Sequence, residues 1–320
     1  MTTPFRIYRG LEELNADDAG GAALTIGNFD GVHAGHREIL RRVVELGNGR
    51  GWSSTVLTFD PHPARVLAPQ RAPRLLSTIE QRAQWIREAG IGRLLILPFD
   101  RDLSLVAPRE FVERILVGRL QARAVLVGAN FRFGNRAAGD TALLGALGQE
   151  LGFLTEIVPP VLRRGGTVSS SRIRALLEAG RVAAAARLLG RPYFVDGEVV
   201  PGRGVGSRQT VPTMNLATSA EVLPARGVYV TRTRELAGER CWQSVTNVGF
   251  RPTFGGETLA VETFALDGIE GDPPRRIRVE FLWRLREERR FPDAESLKAQ
   301  ILCDVARSQR WFSRCRRWVR

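Results

Sequence analysis

Between Ala22 and Leu189 the chain repeats one pattern: a short apolar run, a turn, then a longer amphipathic segment. The apolar runs are Ala23–Ile26, Ser54–Thr58, Arg93–Leu97, Ala124–Val127 and Leu154–Val158, each four or five residues long and bounded by turn residues. Runs of that length are typical of strands buried on both faces. Ser77–Glu88 is one of the helical segments, with Ser77 and Glu80 at capping-box spacing and Gly90 just past its end. Strand–helix alternation predicts a parallel sheet covered by helices on both faces.

After Gly190 the pattern changes. Strand-like stretches Phe194–Val200, Gly227–Arg232, Gln243–Val248, Leu259–Leu266 and Ile277–Leu285 are separated by Gly, Pro and Asn, and Ala294–Trp311 reads as a helix. Strands in succession predict a small antiparallel barrel or sandwich with a helix packed on it. The alanine-rich helix Val182–Leu189 ends the first part, so the expected domains are 1–188 and 189–320. Both are of ordinary domain size.

Composition narrows the function classes. No apolar run approaches the roughly 18–20 residues of a membrane span, and Met1–Gly10 lacks the layout of a signal peptide. A cytoplasmic protein is expected. Cys241, Cys303 and Cys315 are too few and scattered for a disulfide framework or a zinc site. The net charge of +13 rests almost wholly on arginine, Lys298 being the only lysine. Apart from the tail Arg314–Arg320, the arginines are spread along the chain. That distribution suits small polyanions better than nucleic acid, which selects a concentrated basic footprint.

All three histidines fall within the first 62 residues. His33 and His36 close G-N-F-D-G-V-H-A-G-H (27–36), and His62 lies in T-F-D-P-H-P (58–63). The first run follows a predicted strand and opens a helix. Gly27, Gly31 and Gly35 let the backbone approach a ligand there, and helix-start amides attract phosphate. Ser169, Ser170 and Arg174, in S-S-S-R-I-R (169–174), form a second phosphate-type element, and G-A-N-F-R-F-G (128–134) ends the fourth apolar run.

These four elements, in this order, resemble the N-terminal module of the bifunctional prokaryotic riboflavin kinase/FAD synthetases. The family pairs G-x-F-D-G-x-H-x-G-H with F-D-P-H-P, G-x-(D/N)-F-x-F-G and S-S-(S/T)-x-I-R. The resemblance implies a Rossmann-like nucleotidyltransferase domain in which FMN phosphate attacks the α-phosphorus of ATP. It implies that His33 and His36 hold the ATP phosphates and transition state. Gly27, Asn28, Phe29, Asp30, Gly35, Ser169, Ser170 and Arg174 would form the rest of the ATP site. Asp60, His62 and Asn130 would lie on the flavin side, with Mg²⁺ bridging the phosphates.

The second half carries G-R-G-V-G-S-R-Q-T-V-P-T-M-N (202–215), which is not a Walker A sequence. Clustered glycines can wrap phosphate through backbone amides, and Thr213 and Asn215 alternate onto one face. P-T-M-N (212–215), G-V-Y-V (227–230), N-V-G-F-R-P-T-F (247–254) and V-E-T-F (261–264) resemble the riboflavin kinase module of the same family. By that resemblance Gly204 and Gly206 contact ATP, Thr213 and Asn215 hold Mg²⁺ and ATP, and Glu262 is the base for the ribityl 5′-hydroxyl.

Two departures stand out. Gln209–Val211 replaces the family's L-G-F, placing β-branched Thr210 where the backbone is otherwise unencumbered. Gly271–Pro274 occupies the place of an aromatic–glycine pair. The expected function is riboflavin to FMN to FAD. The alternatives are an adenylyltransferase with a weak or inactive kinase domain, or a non-catalytic flavin- or nucleic-acid-binding regulator. Retention of His33, His36, Thr213, Asn215 and Glu262 speaks for turnover.

Overall fold

The computed structural model describes residues 5–14, 20–201, 213–253 and 256–315. Gly204, Gly206, the Gln209–Val211 departure and most of the basic tail lie outside the described residues. The chain forms two compact units that divide between Ser170 and Ser171.

The first unit holds strands β1 (Arg6–Arg9), β2 (Ala22–Ile26), β3 (Ser53–Asp60), β4 (Arg93–Pro98), β5 (Ala122–Gly128) and β6 (Leu154–Val158). They make one sheet in the order β1-β4-β3-β2-β5-β6, and every pairing is parallel. The two-residue strands β7 (Leu162–Arg163) and β8 (Gly166–Thr167) form a separate antiparallel hairpin. The predicted α/β sheet is present, with β1 an edge strand that the apolar runs did not reveal.

Period-two alternation splits the strand side chains between two cores. Leu24, Ile26, Leu57, Leu95, Val125 and Val127 pack on one side with Val112, Leu116, Leu144 and Leu147. Ala23, Val56, Leu94, Ile96, Ala124 and Leu126 pack on the other with Leu40, Val43, Ala83 and Ile86. The helix Ile79–Glu88 begins one residue later than its sequence signal. Thr78 is the N-cap and closes a capping box with Gln81, correcting the Ser77–Glu80 reading. Ser77 is drawn instead into a buried polar contact with the loop after β2.

The second unit opens with helices Ser170–Glu178 and Val182–Leu189. They belong with the barrel by packing: Ala225 N–H donates to Leu177 O (2.9 Å), and Gly180 (φ +70°) leaves room only for Arg284. The change of sequence character near 189 and the division of packing at 170 are therefore different boundaries. Strands β9 (Tyr193–Val200), β10 (Met214–Ala217), β11 (Gly227–Glu235), β12 (Cys241–Thr253), β13 (Gly256–Ala265) and β14 (Arg276–Arg286) close into an antiparallel barrel, β10-β13-β12-β11-β14-β9. Closure resolves the choice between barrel and sandwich. The C-terminal helix Ala294–Arg314 packs Phe312 on Leu282 and Val230, and Arg286 pairs with Asp304 (2.8 Å).

Five hydroxyls, all fully buried, occupy the barrel interior: Thr231, Thr233, Ser244, Thr246 and Thr263. They form a closed ring, Thr231–Ser244–Thr233–Thr263–Thr246–Thr231, with separations of 2.7–3.2 Å. Ser244 Oγ also reaches Thr231 O (3.1 Å), and every hydroxyl of the ring has at least two partners, so no member goes unsatisfied. Thr246→Val would break the ring at two bonds. A loss of about 1–3 kcal/mol is expected, read as a lower urea midpoint with an unchanged slope.

Candidate active sites

Strand order reverses around β2, which has β3 on one side and β5 on the other. In open parallel sheets the crevice beyond the carboxyl ends at such a reversal is where ligands bind. Three predicted motifs emerge at that edge: Gly27–His36 after β2, Asp60–His62 after β3, and Asn130 after β5.

The Gly27–His33 loop is held in an uncommon shape. Phe29 (φ +49°) and Val32 (φ +34°) occupy the left-handed region beside Gly31 (φ +76°). For non-glycine residues this costs on the order of 1–3 kcal/mol each, most of all for a β-branched side chain. The neighbouring segment Leu76–Arg82 supplies the compensation. The Asp30 carboxylate, 2% exposed, accepts from Leu76 N (2.9 Å), Ser77 N (3.2 Å) and Ser77 Oγ (3.1 Å). Ser77 Oγ in turn accepts from Gly31 N (2.9 Å). Arg82 Nη1 donates to Asn28 O (3.0 Å), which also takes a longer bond from Thr58 Oγ1 (3.4 Å). Ser170 Oγ donates to Asp30 O (2.9 Å).

His33, 6% exposed, is the N-cap of helix Ala34–Arg50. Its Nδ1 accepts from His36 N (3.2 Å), which requires a lone pair there and leaves the proton on Nε2. The two imidazoles stack, with centroids 3.6 Å apart and planes 12° from parallel, and His36 leans on the Phe29 ring. Gly35 keeps this stack close: a Cβ there would lie 3.2 Å from His33 Cε1.

Among the predicted ATP-site residues, then, Phe29 and Asp30 direct their side chains inward as supports. His33, His36, Gly27, Asn28 and Gly35 share the loop and helix start, with Ser170 hydrogen-bonded to that loop and Ser169 beside it. His62 Nδ1 accepts from Ala64 N (3.1 Å), making His62 the N-cap of the short helix Pro63–Leu67, and Asp60 ends β3. Asn130 is exposed in the turn after β5. Arg174 lies on helix Ser170–Glu178, in the second unit.

Sequence reasoning missed Ser77 and Arg82. Arg82 is 1% exposed and sits on the apolar stripe Ile79, Ala83, Ile86 of its helix. A lone arginine on a buried stripe was the available signal. Burial pushes its pKa down, opposed by the nearby Asp30 and Asp60 carboxylates.

In the barrel, register brings the predicted kinase residues together. Asn215 on β10 lies opposite Glu262 on β13, and Glu262 lies opposite Asn247 on β12. The hydroxyl ring uses the alternate positions Thr246 and Thr263, so Asn215, Glu262 and Asn247 share the outer face. Asn215 is 5% exposed, and its Oδ1 has no hydrogen-bond partner among the described residues. Exposed Thr213 directly precedes β10. A buried orphan amide oxygen next to a hydroxyl and a carboxylate is a hard-oxygen donor set of the kind Mg²⁺ takes. The outer space at Gly249 is also used: a Cβ there would collide with the Glu288 carboxylate and lie 3.1 Å from Asn247 Nδ2.

Comparison with known proteins agrees with both halves. The FAD synthetase family model matches residues 15–172 and the riboflavin kinase family model residues 189–312. The bifunctional riboflavin kinase/FMN adenylyltransferase of Pseudomonas fluorescens is 38% identical, covering 94% of this chain and 96% of its own. That of Escherichia coli K12 is 34% identical, covering 96% and 98%. A solved structure titled macrolide-efflux protein, from Streptococcus pneumoniae, superposes with a TM-score of 0.85 at 25% identity, over 96% of this chain and 99% of its own. This near-full-length identity to proteins that carry both activities, with both domain families matched in the same order, places the chain in the bifunctional riboflavin kinase/FMN adenylyltransferase family.

Proposed function

We propose that the second unit phosphorylates riboflavin to FMN with ATP and that the first adenylylates FMN to FAD, releasing pyrophosphate. Homology to enzymes of both activities over nearly the whole chain supports this. The observation that carries the adenylylation assignment is the stacked His33–His36 pair at a helix start, on the carboxyl edge of β2.

For adenylylation, a phosphate oxygen of FMN attacks the α-phosphorus of ATP, forming one P–O bond as the bond to pyrophosphate breaks. Proton transfer is secondary, so the residues serve to align and to neutralise developing charge. His33 Nε2–H and His36 donate to the phosphates, beside the amides of the Gly27–Gly35 segment. Ser169, Ser170 and Arg174 take the triphosphate. Asn130, Asp60 and His62 border the flavin side, and Phe29 and Asp30 act by supporting the loop.

For phosphorylation, the ribityl 5′-oxygen attacks the γ-phosphorus and Glu262 takes its proton, with ADP leaving. Thr213 and Asn215 would hold Mg²⁺, which supplies charge neutralisation at the ATP phosphates when bound. Gly204 and Gly206, outside the described residues, belong to the same ATP loop by motif. We assign the enzyme to the cytoplasm and to small-molecule partners, without nucleic acid as a principal one. No helix among the described residues is long and apolar enough to cross a membrane.

Incubation with riboflavin, ATP and Mg²⁺, with flavins separated over time, should show FMN rising and then giving way to FAD. EDTA should stop both steps and excess Mg²⁺ restore them. His33→Ala is expected to lower FAD formation by at least about 100-fold while FMN formation continues. Equal loss of both would mean misfolding. Glu262→Gln is expected to do the reverse, lowering riboflavin phosphorylation by about 10²–10⁴-fold while supplied FMN is still adenylylated. Unchanged phosphorylation in that variant would remove Glu262 from the base role.

A further inference from the structure

We infer that Arg82, acting with the Asp30–Ser77 contact, is a positioning residue for adenylyl transfer: it holds the Gly27–His33 loop in the strained shape that aligns His33. The inference rests on the adenylylation reading of the first site.

Two non-glycine residues in the left-handed region do not stay there unless the surroundings over-determine them. Phe29 and Val32 are such residues, and the loop ends at the N-cap His33. The segment Leu76–Arg82 grips the chain on both sides of Phe29. Before it, Asn28 O accepts from Arg82 Nη1; after it, the Asp30 carboxylate accepts from Leu76 N, Ser77 N and Ser77 Oγ. These bonds span 46–54 residues of sequence, so a separate helix start holds the loop shape together with the local turn bond from Val32 N to Phe29 O (3.0 Å).

Arg82 also supplies the charge. Asp30 is buried, and the guanidinium attracts both it and Asp60 at the end of β3. Among the described residues its hydrogen bonds go to backbone oxygens, Asn28 O and Thr78 O, which marks it as a residue acting through the loop. Without it, Asn28 O would keep, among the described residues, only the 3.4 Å Thr58 hydroxyl.

The second activity of the same chain is an internal control. Arg82→Met keeps the length and removes the charge and donors. It is expected to lower kcat for FAD formation from supplied FMN about 100-fold, the scale of an ångström-sized misplacement, with KM for FMN and ATP within about threefold of wild type. Riboflavin phosphorylation by the same preparation should be unchanged. Arg82→Lys, which restores a cation and one donor, should recover kcat to within about tenfold of wild type. Ser77→Ala, which loosens the same grip without burying an unpaired charge, should lower kcat about tenfold and serves if Arg82→Met does not fold.

Wild-type kcat in Arg82→Met, or in Ser77→Ala where only that variant folds, would overturn the proposal. So would a raised KM at unchanged kcat, or a loss that lysine does not reverse in a folded protein. A wild-type chain that made no FAD from FMN would overturn the adenylylation reading itself, whereas normal wild-type turnover with unaffected variants would overturn the loop clamp alone.

Discussion

Strand β2 is buried along its whole length between two apolar layers, so only its carboxyl end can meet a ligand. That constraint organises the first unit. Because β3 and β5 flank β2 on opposite sides, the loops leaving all three strands surround one crevice. The chain then spends unfavourable backbone geometry at Phe29 and Val32 to turn sharply into a helix whose first residue is capped by His33. Buried polar contacts from a different helix hold that turn. A buried carboxylate such as Asp30 is tolerable because its oxygens accept from Leu76 N, Ser77 N and Ser77 Oγ and a guanidinium lies nearby.

The barrel meets the opposite demand. A closed sheet buries every inward position, and here the inward positions of three adjacent strands carry hydroxyls that satisfy one another. The outward positions of β12 and β13, with β10 beside them, carry a different set of polar side chains. Asn215, Glu262 and Asn247 form one cross-strand row because the side-chain period is two. A one-residue slip of β10 along β13 would set Asn215 opposite Val261 or Thr263 and turn it inward, away from Glu262. The hydroxyl ring resists such a slip between β11, β12 and β13, since it closes only in one register.

Much of this was legible in the sequence because burial leaves a pattern. Five parallel strands were visible as short apolar runs, and five of the six barrel strands as stretches between turn residues; β10, four residues long, entered only through the P-T-M-N motif. Edge strand β1 was not, since R-I-Y-R pairs on one side only and keeps charged residues. The site motifs were visible where glycine, proline and histidine are dense. What the sequence hid is long-range support. Nothing near Ser77 announces that it will abandon a cap for the Asp30 carboxylate 47 residues away, and Thr78 takes over the capping role. Asp30 and Phe29 read as ligand contacts within their motif, yet both side chains turn inward.

His33 shows how local structure can select one protonation form of a side chain. As N-cap, its Nδ1 must accept from the His36 amide, a bond available only to a ring nitrogen that carries a lone pair. The proton is thereby placed on Nε2, away from the helix, where it can be donated to an anion. The His36 ring stacks flat on it and limits rotation, and Gly35 permits that contact. Helix capping and ring stacking thus call for one tautomer and one orientation, the same that the proposed phosphate donation needs. Under the proposed adenylylation, a phosphate arriving at the site would meet a donor already fixed in place, leaving little reorganisation for the transition state.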